Sequence, residues 1–249
     1  MRPHTFYLGA HHPNWLAHVG VPLFVSRRAL FSRRSFPRAV GRWALDSGGY
    51  SELEKFGRWS VSASQYATEV RLFSEQIGVP DFAAPQDWMC EPWLLRKTGL
   101  SIPRHQALTV RSFLELRDLA PALPWIPVLQ GWTAADYWRH IEMYDAAGIS
   151  LQALPLVGVG SLCRRQALSE AGGILSGLFT AFGLRHLHGF GFKISGLRRY
   201  SPYLASADSM AWSKTARYTH PLAGCPHRRC NNCLRFALLW RSSLPEAWL

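Results

Sequence analysis

Ala44-Leu45-Asp46-Ser47-Gly48-Gly49-Tyr50 is a short apolar run that gives out into an aspartate and a tight glycine turn. The same pattern returns along the chain. Trp125-Ile126-Pro127-Val128-Leu129 ends in Gln130-Gly131, Leu154-Pro155-Leu156-Val157 ends in Gly158-Val159-Gly160, and Ser206-Ala207 runs into Asp208. Polar groups or glycines therefore sit where strands end. In a parallel α/β fold those ends converge on one face, the face on which sites are built. Carboxylates far apart in sequence can meet there, as displacement at a sugar carbon requires.

Between these runs lie helix-length segments. Strands are expected at 6–8, 21–25, 43–45, 81–84, 125–129, 153–157, 185–188 and 206–207. Helices are expected from Ser62, with Gln65 completing a capping box, to Gln76, from about Val110 to Leu119, from Thr133 and Asp136 to Gly148, and from about Arg164 to Phe182. This alternation predicts βαβ units and a parallel sheet. Seven or eight units would close a (β/α)8 TIM-type barrel, and 249 residues suit one such barrel as a single domain, 1–249. An open doubly wound sheet is the alternative. The lack of a Gly-x-Gly-x-x-Gly after an early strand counts against a dinucleotide fold.

Met1-Arg2-Pro3-His4-Thr5 carries no apolar signal-peptide core, and no apolar run reaches the ~20 residues of a membrane helix. The expectation is a cytoplasmic protein with no membrane association. Net charge is +12, which favours a polyanionic partner such as nucleic acid. Lysine occurs only at Lys55, Lys97, Lys193 and Lys214, so arginine supplies most of the charge. A GC-rich genome accounts for arginine without any function. Against that, Arg27, Arg28, Arg33, Arg34, Arg38 and Arg42 are clustered, and guanidinium forks onto phosphate as ammonium cannot.

Cys225-Pro226-His227-Arg228-Arg229-Cys230-Asn231-Asn232-Cys233 places three cysteines and a histidine on one polar, turn-rich segment. Closely spaced thiolates and an imidazole suit tetrahedral zinc, with Cys225, His227, Cys230 and Cys233 as ligands. Four protein ligands close the shell, so the zinc would be structural, in a small C-terminal segment at about 220–240. Free surface thiols are the alternative; a disulfide does not suit the cytosol. Cys90 and Cys163 are isolated and read as small core residues.

Asp46, Asp87 and Asp208 each read singly as turn aspartates capping backbone amides. Together with Gln130, all at strand ends, they make a set that turns alone do not explain. Lys193, Arg198 and Arg199 follow a strand end and are candidates for a phosphate-holding rim. His11 and His12 also follow a strand, and a structural role is the commoner one for turn histidines.

The ordered set resembles the tRNA-guanine transglycosylase superfamily. It comprises Asp46-Ser47-Gly48-Gly49-Tyr50, Asp87, Val128-Leu129-Gln130-Gly131, Val157-Gly158-Val159-Gly160, Ser206-Ala207-Asp208-Ser209 and the cysteine-rich segment. The likeness is closest to the DNA-acting branch, the DpdA-like deazapurine DNA modification proteins. Phe6 to Leu16, Gly158 to Arg165, His188 to Lys193 and Ala207 to Ser213 carry it over nearly the whole chain. The resemblance implies a (β/α)8 barrel that exchanges guanine in DNA for a 7-deazaguanine such as preQ0 or preQ1. It makes Asp208 the nucleophile and Asp46 the proton-handling carboxylate. It makes Asp87 and Gln130 readers of the base edge and Gly158 to Gly160 a backbone contact to it. A homodimer is compatible with it. Tyr50 and Ser51 replace the Phe-Gln of the bacterial tRNA enzymes, the zinc histidine lies between cysteines, and no appended RNA-binding domain follows. These departures favour DNA over tRNA. A tRNA transglycosylase and a non-catalytic zinc-stapled nucleic-acid-binding domain are the rival readings.

Overall fold

A computed structural model describes residues 4–249; Met1, Arg2 and Pro3 of the N-terminal stretch read above lie outside them. Seven strands form one sheet: β1 (Thr5–Ala10), β2 (Leu23–Ser26), β3 (Trp43–Asp46), β4 (Val128–Leu129), β5 (Val157–Val159), β6 (Leu187–Gly189) and β7 (Ser206–Ser209). The order is β3-β2-β1-β7-β6-β5-β4, and every pairing is parallel. The result is an α/β fold with a curled, half-barrel sheet, and all strand C-termini lie at one end.

The stretch expected as a strand at 81–84 is reduced to one residue. Ala83 makes isolated parallel bridges to Leu45 and to Trp125. Its N–H donates to Pro124 O (2.9 Å), and Ile126 N–H donates to its carbonyl (3.2 Å). Pro80 and Pro85 flank the segment, and Pro124 and Pro127 interrupt its neighbour. Each proline removes a ladder donor, which keeps this pairing short.

Capping chemistry explains the helices that sequence located well. Ser62 Oγ accepts from Gln65 N–H (3.1 Å) at the start of Ala63–Gln76. Thr133 and Asp136 form a reciprocal box at the start of Ala134–Ala146. Two helices have other bounds than expected. Ser101 caps the helix expected from about Val110, which runs Ile102–Leu119 and so begins two turns earlier, with Pro103 in its first turn. The segment after residue 164 stays in turns until Ser169–Thr180. The strand expected at 153–157 begins only at Val157, because Leu151–Ala153 forms a short 3-10 turn.

Alternation along the strands divides the interior. Tyr7, Phe24, Ala44, Phe82 and Ile126 form a separate apolar cluster, with Leu156 and Phe190 packed on it. These residues come from successive strands and fill the inside of the curl. Two residues further along, on the same face, come Ser26, Asp46 and Ala84. An apolar plug is thus topped by a polar layer. The larger core lies outside the sheet, between strands and helices, and runs on to Phe236, Ala237, Leu244 and Trp248. No helix among the described residues is long and apolar enough to cross a membrane.

Candidate active site at the strand ends

A cavity of about 660 Å³ opens above the apolar plug, lined by Asp46, Asp87, Gln130, Gly160 and Asp208 among others. A larger one, about 790 Å³, lies at the opposite end of the strands, around Thr5, Arg42, Asp81 and Arg185. The first holds the strand-end carboxylates, so chemistry is argued there.

Asp208 is buried, and its Oδ1 accepts from Gly191 N–H (3.0 Å). His188 Nε2 lies 3.3 Å from the same oxygen. Asp46 stands at the end of β3. Burial raises its pKa, Asp208 adds to the rise, and hydrogen bonds from Ser26 and the Gly48 amide oppose it. A proton is therefore held more readily on Asp46 than on a free aspartate.

Asp87 accepts from Ser47 Oγ (3.1 Å) on Oδ1 and from Gln130 Nε2 (2.7 Å) on Oδ2. Gln130 is fixed from behind. Its N–H donates to His140 Nδ1 (2.9 Å) and its carbonyl accepts from Gln106 Nε2 (2.7 Å). Burial pushes His140 down to about 3, which keeps the imidazole neutral and able to accept. The Ser161 hydroxyl lies 2.7 Å from Gln130 Oε1 and 2.9 Å from Glu91 Oε2. It has one proton to give. Burial raises Glu91 toward its protonated form, in which Glu91 supplies the second. Ser161 holds this position at φ +56°, a left-handed conformation rare for a side chain other than glycine. A Cβ on Gly160 would lie 2.3 Å from Gln130 Nε2, so only glycine leaves room for that amide.

Burial pushes Asp87 up to about 7, with Asp46 adding to the rise and the Gln130 and Ser47 donors opposing it. The folded protein thus binds a proton at Asp87 that the unfolded chain has released. The stability this contributes is present below the ordinary value of 3.8 and is lost as pH rises through about 7. Asp87→Asn removes the buried charge and is expected to stabilise the fold at pH 8 by on the order of 2 kcal/mol more than at pH 5. Urea unfolding at the two pH values checks this; equal differences would refute it.

The other expected residues fall as follows. Gly158 lies within β5, where a Cβ would meet Phe190 at 2.5 Å, and does not line the cavity. Lys193, Arg198 and Arg199 are exposed on and beside the helix Ile194–Tyr200, outside the cavity lining. Arg28 is the arginine that lines it, paired with Glu52 at 2.6 Å. The arginine cluster is largely engaged within the fold: Arg27 is buried against Glu69 and Glu52, and Arg42 pairs with Asp81. His11 lines the cavity and bonds Ser213 Oγ (2.8 Å), whereas His12, exposed like it, does not line the cavity. Cys90 is buried as expected, but Cys163 is half-buried on the cavity wall. Arg164 stacks over Trp93 and Tyr50 and donates to the Tyr50 hydroxyl (2.9 Å).

Sequence reading missed His188, Ser161 and Glu91 as site residues. Ser161 and His188 lie next to or within strand-end glycine motifs, Gly160-Ser161 and His188-Gly189, which was the available signal.

Cys225, His227, Cys230 and Cys233 come together, with ligand atoms all within 4.8 Å of one another. Cys225 and Cys233 sulfurs are 3.9 Å apart, close to the roughly 3.8 Å edge of a tetrahedron with zinc–sulfur bonds of about 2.3 Å. The group can hold a metal ion such as zinc.

An α/β sheet with three aspartates and a glutamine lining one cavity, together with a Cys/His cluster able to hold a metal, offers the groups that acid–base and displacement chemistry use. The family model DpdA, DeoxyPurine in DNA protein A, matches residues 1–248, and the chain belongs to that family. Membership makes it a transglycosylase-type enzyme of deazapurine modification in DNA. No curated protein matches the chain.

Proposed function

We propose that the protein exchanges guanine in DNA for a 7-deazaguanine through a covalent aspartyl-sugar intermediate. The carrying observation is that Asp208, Asp46, Asp87 and Gln130 line one cavity above an apolar floor. Base exchange without net hydrolysis needs a state that keeps the sugar activated while one base leaves and another enters. Asp208 forms the bond to the anomeric carbon as the bond to guanine breaks. Asp46 donates a proton to the departing base and takes one from the incoming base, a role its raised pKa favours. Asp87 and Gln130 meet the base edge, with Gly160 beside them. Tyr50, on the cavity wall, offers a ring for stacking. The target base must leave the helix stack to reach this depth.

Two structural features complete the reading. The bridges of Ala83 to Leu45 and Trp125 support closure of the sheet as a (β/α)8 barrel with the 82–84 segment as its eighth strand. Cys225, His227, Cys230 and Cys233 would hold one structural zinc, since four protein ligands leave no open position. Lys193, Arg198 and Arg199 would bear on phosphate.

The test uses duplex DNA and tRNA carrying labelled guanine, each incubated with protein and preQ0 or preQ1. Release of label from DNA alone is expected. Release from tRNA alone would replace DNA by tRNA, and release from neither would leave the non-catalytic binding reading. Affinity for duplex should also fall steeply with salt, and Arg198→Ala with Arg199→Ala should flatten the log–log slope by about 2. An unchanged slope would remove both arginines from the interface.

A further inference from the structure

The 188–191 segment brings the Gly191 amide and the His188 imidazole to one oxygen of Asp208. His188, in β6, is fully buried. Its ring is boxed by Phe82 and Phe190, each 4.7 Å away between centroids, and by Phe24 (5.8 Å) and Tyr7 (6.0 Å). A buried imidazole among aromatics needs partners for both nitrogens. Nδ1 lies 2.8 Å from Ser206 Oγ, on the facing residue of β7. Nε2 is buried and makes no hydrogen bond within the resting fold, and Asp208 Oδ1 lies 3.3 Å from it. A neutral imidazole has one N–H and one lone pair. The Ser206 hydroxyl can turn to donate to Nδ1, whereas a carboxylate only accepts. The tautomer with hydrogen on Nε2 satisfies both contacts; the other would set a lone pair against the carboxylate.

We infer that His188 is a positioning residue for Asp208, its Nε2–H holding Oδ1 so that Oδ2 meets the sugar. The inference rests on Asp208 as the nucleophile. Gly191 N–H takes the same Oδ1 at 3.0 Å, so the two donors fix the carboxylate plane. In the first half-reaction Oδ2 bonds to the anomeric carbon, and the electron pair of the broken glycosidic bond leaves with guanine. The ester carbonyl is then Oδ1, still bonded to both donors. In the second half the incoming base nitrogen bonds to the carbon, and Oδ2 departs with its electron pair. The charge returning to the carboxylate spreads onto an oxygen already held by donors. Both halves therefore draw on the same contact.

The test compares His188→Phe, His188→Gln and Asp208→Asn with the wild type. Phenylalanine refills the aromatic box without the donor; glutamine can return an N–H toward Oδ1. His188→Phe is expected to lower kcat for exchange by about 10²–10³-fold, the range for loss of one preorganised donor. KM for DNA and for the base should stay within about threefold. Glutamine should recover roughly a tenfold or greater part of the loss. Nitrogen-15 NMR of histidine-labelled wild type should place hydrogen on Nε2 of His188. Hydrogen on Nδ1 would overturn the inference whether or not the variants fold. So would full kcat in His188→Phe while Asp208→Asn is inactive. Retained exchange in Asp208→Asn would instead overturn the nucleophile assignment beneath it.

Discussion

Asp208→Asn is expected to lower base exchange by a factor on the order of 10⁴ or more while leaving duplex affinity within about twofold. The side chain keeps its shape, so Oδ1 can still accept from Gly191 N–H and the cavity keeps its form. What disappears is the anionic oxygen that can hold the sugar. An amide oxygen is a poor nucleophile, and the other carboxylates lining the cavity are engaged elsewhere: Asp87 is tied on both oxygens to Ser47 and Gln130, Glu91 meets Ser161, and burial holds the Asp46 pKa above that of a free aspartate, suiting it to the proton in the proposed exchange. With the incoming base withheld, the wild type should accumulate a protein–DNA adduct that survives denaturation. The variant should show none. Turnover in the purified variant, or an adduct mapped to Asp46, would move the nucleophile elsewhere. Affinity should hold because phosphate binding depends on surface cations, and the substitution changes one buried charge.

The site was legible in the sequence to the extent that it depends on strand ends. Asp46, Gln130, Gly160 and Asp208 could be found because apolar runs stop at them, and period-two alternation sends the residue after the plug into the mouth. Asp87 follows a segment that barely pairs, yet Pro85 marks its turn. His188 was hidden for the opposite reason. It sits inside a strand, one pleat below the mouth, where a histidine looks like any core residue until its neighbours are known. Ser161 and Glu91 were hidden because their link is spatial: they are 70 residues apart and meet through a single hydroxyl. Within the arginine cluster, charge pattern alone did not tell a free cation from one already paired with Glu52, Glu69 or Asp81. Six short helices, Arg27–Leu30, Gly49–Phe56, Pro92–Thr98, Ile194–Tyr200, Ala211–Tyr218 and Leu234–Arg241, went unread because each is only one or two turns, too short for periodicity to emerge.

Removing the metal should be nearly as damaging to the fold as Asp208→Asn is to the chemistry. The segment from Leu222 to Cys233 has little secondary structure of its own, and Cys230 is fully buried with its sulfur 3.4 Å from Leu222 N–H. His227 Nε2 is 3.1 Å from the same sulfur. A metal ion bound by these three sulfurs and the imidazole would tie the segment together, so binding and local folding should be one event. The consequence reaches the site. Ser213 Oγ donates to Asn231 O (2.8 Å) and also meets His11 Nε2 on the cavity wall. Ser213 lies in the helix that follows β7, and in that helix Trp212 Nε1–H donates to Gly9 O (2.9 Å). Protein purified without chelator should contain one zinc per chain. Cys230→Ser should lower Tm by roughly 10 °C or more, given about 2–4 °C per kcal/mol in a chain of this size. Hydrogen exchange should quicken first over 220–234 and then around His11, before the sheet is affected. Elemental analysis without zinc, or a Cys230→Ser protein with unchanged Tm, would show that the four ligands hold no structural metal.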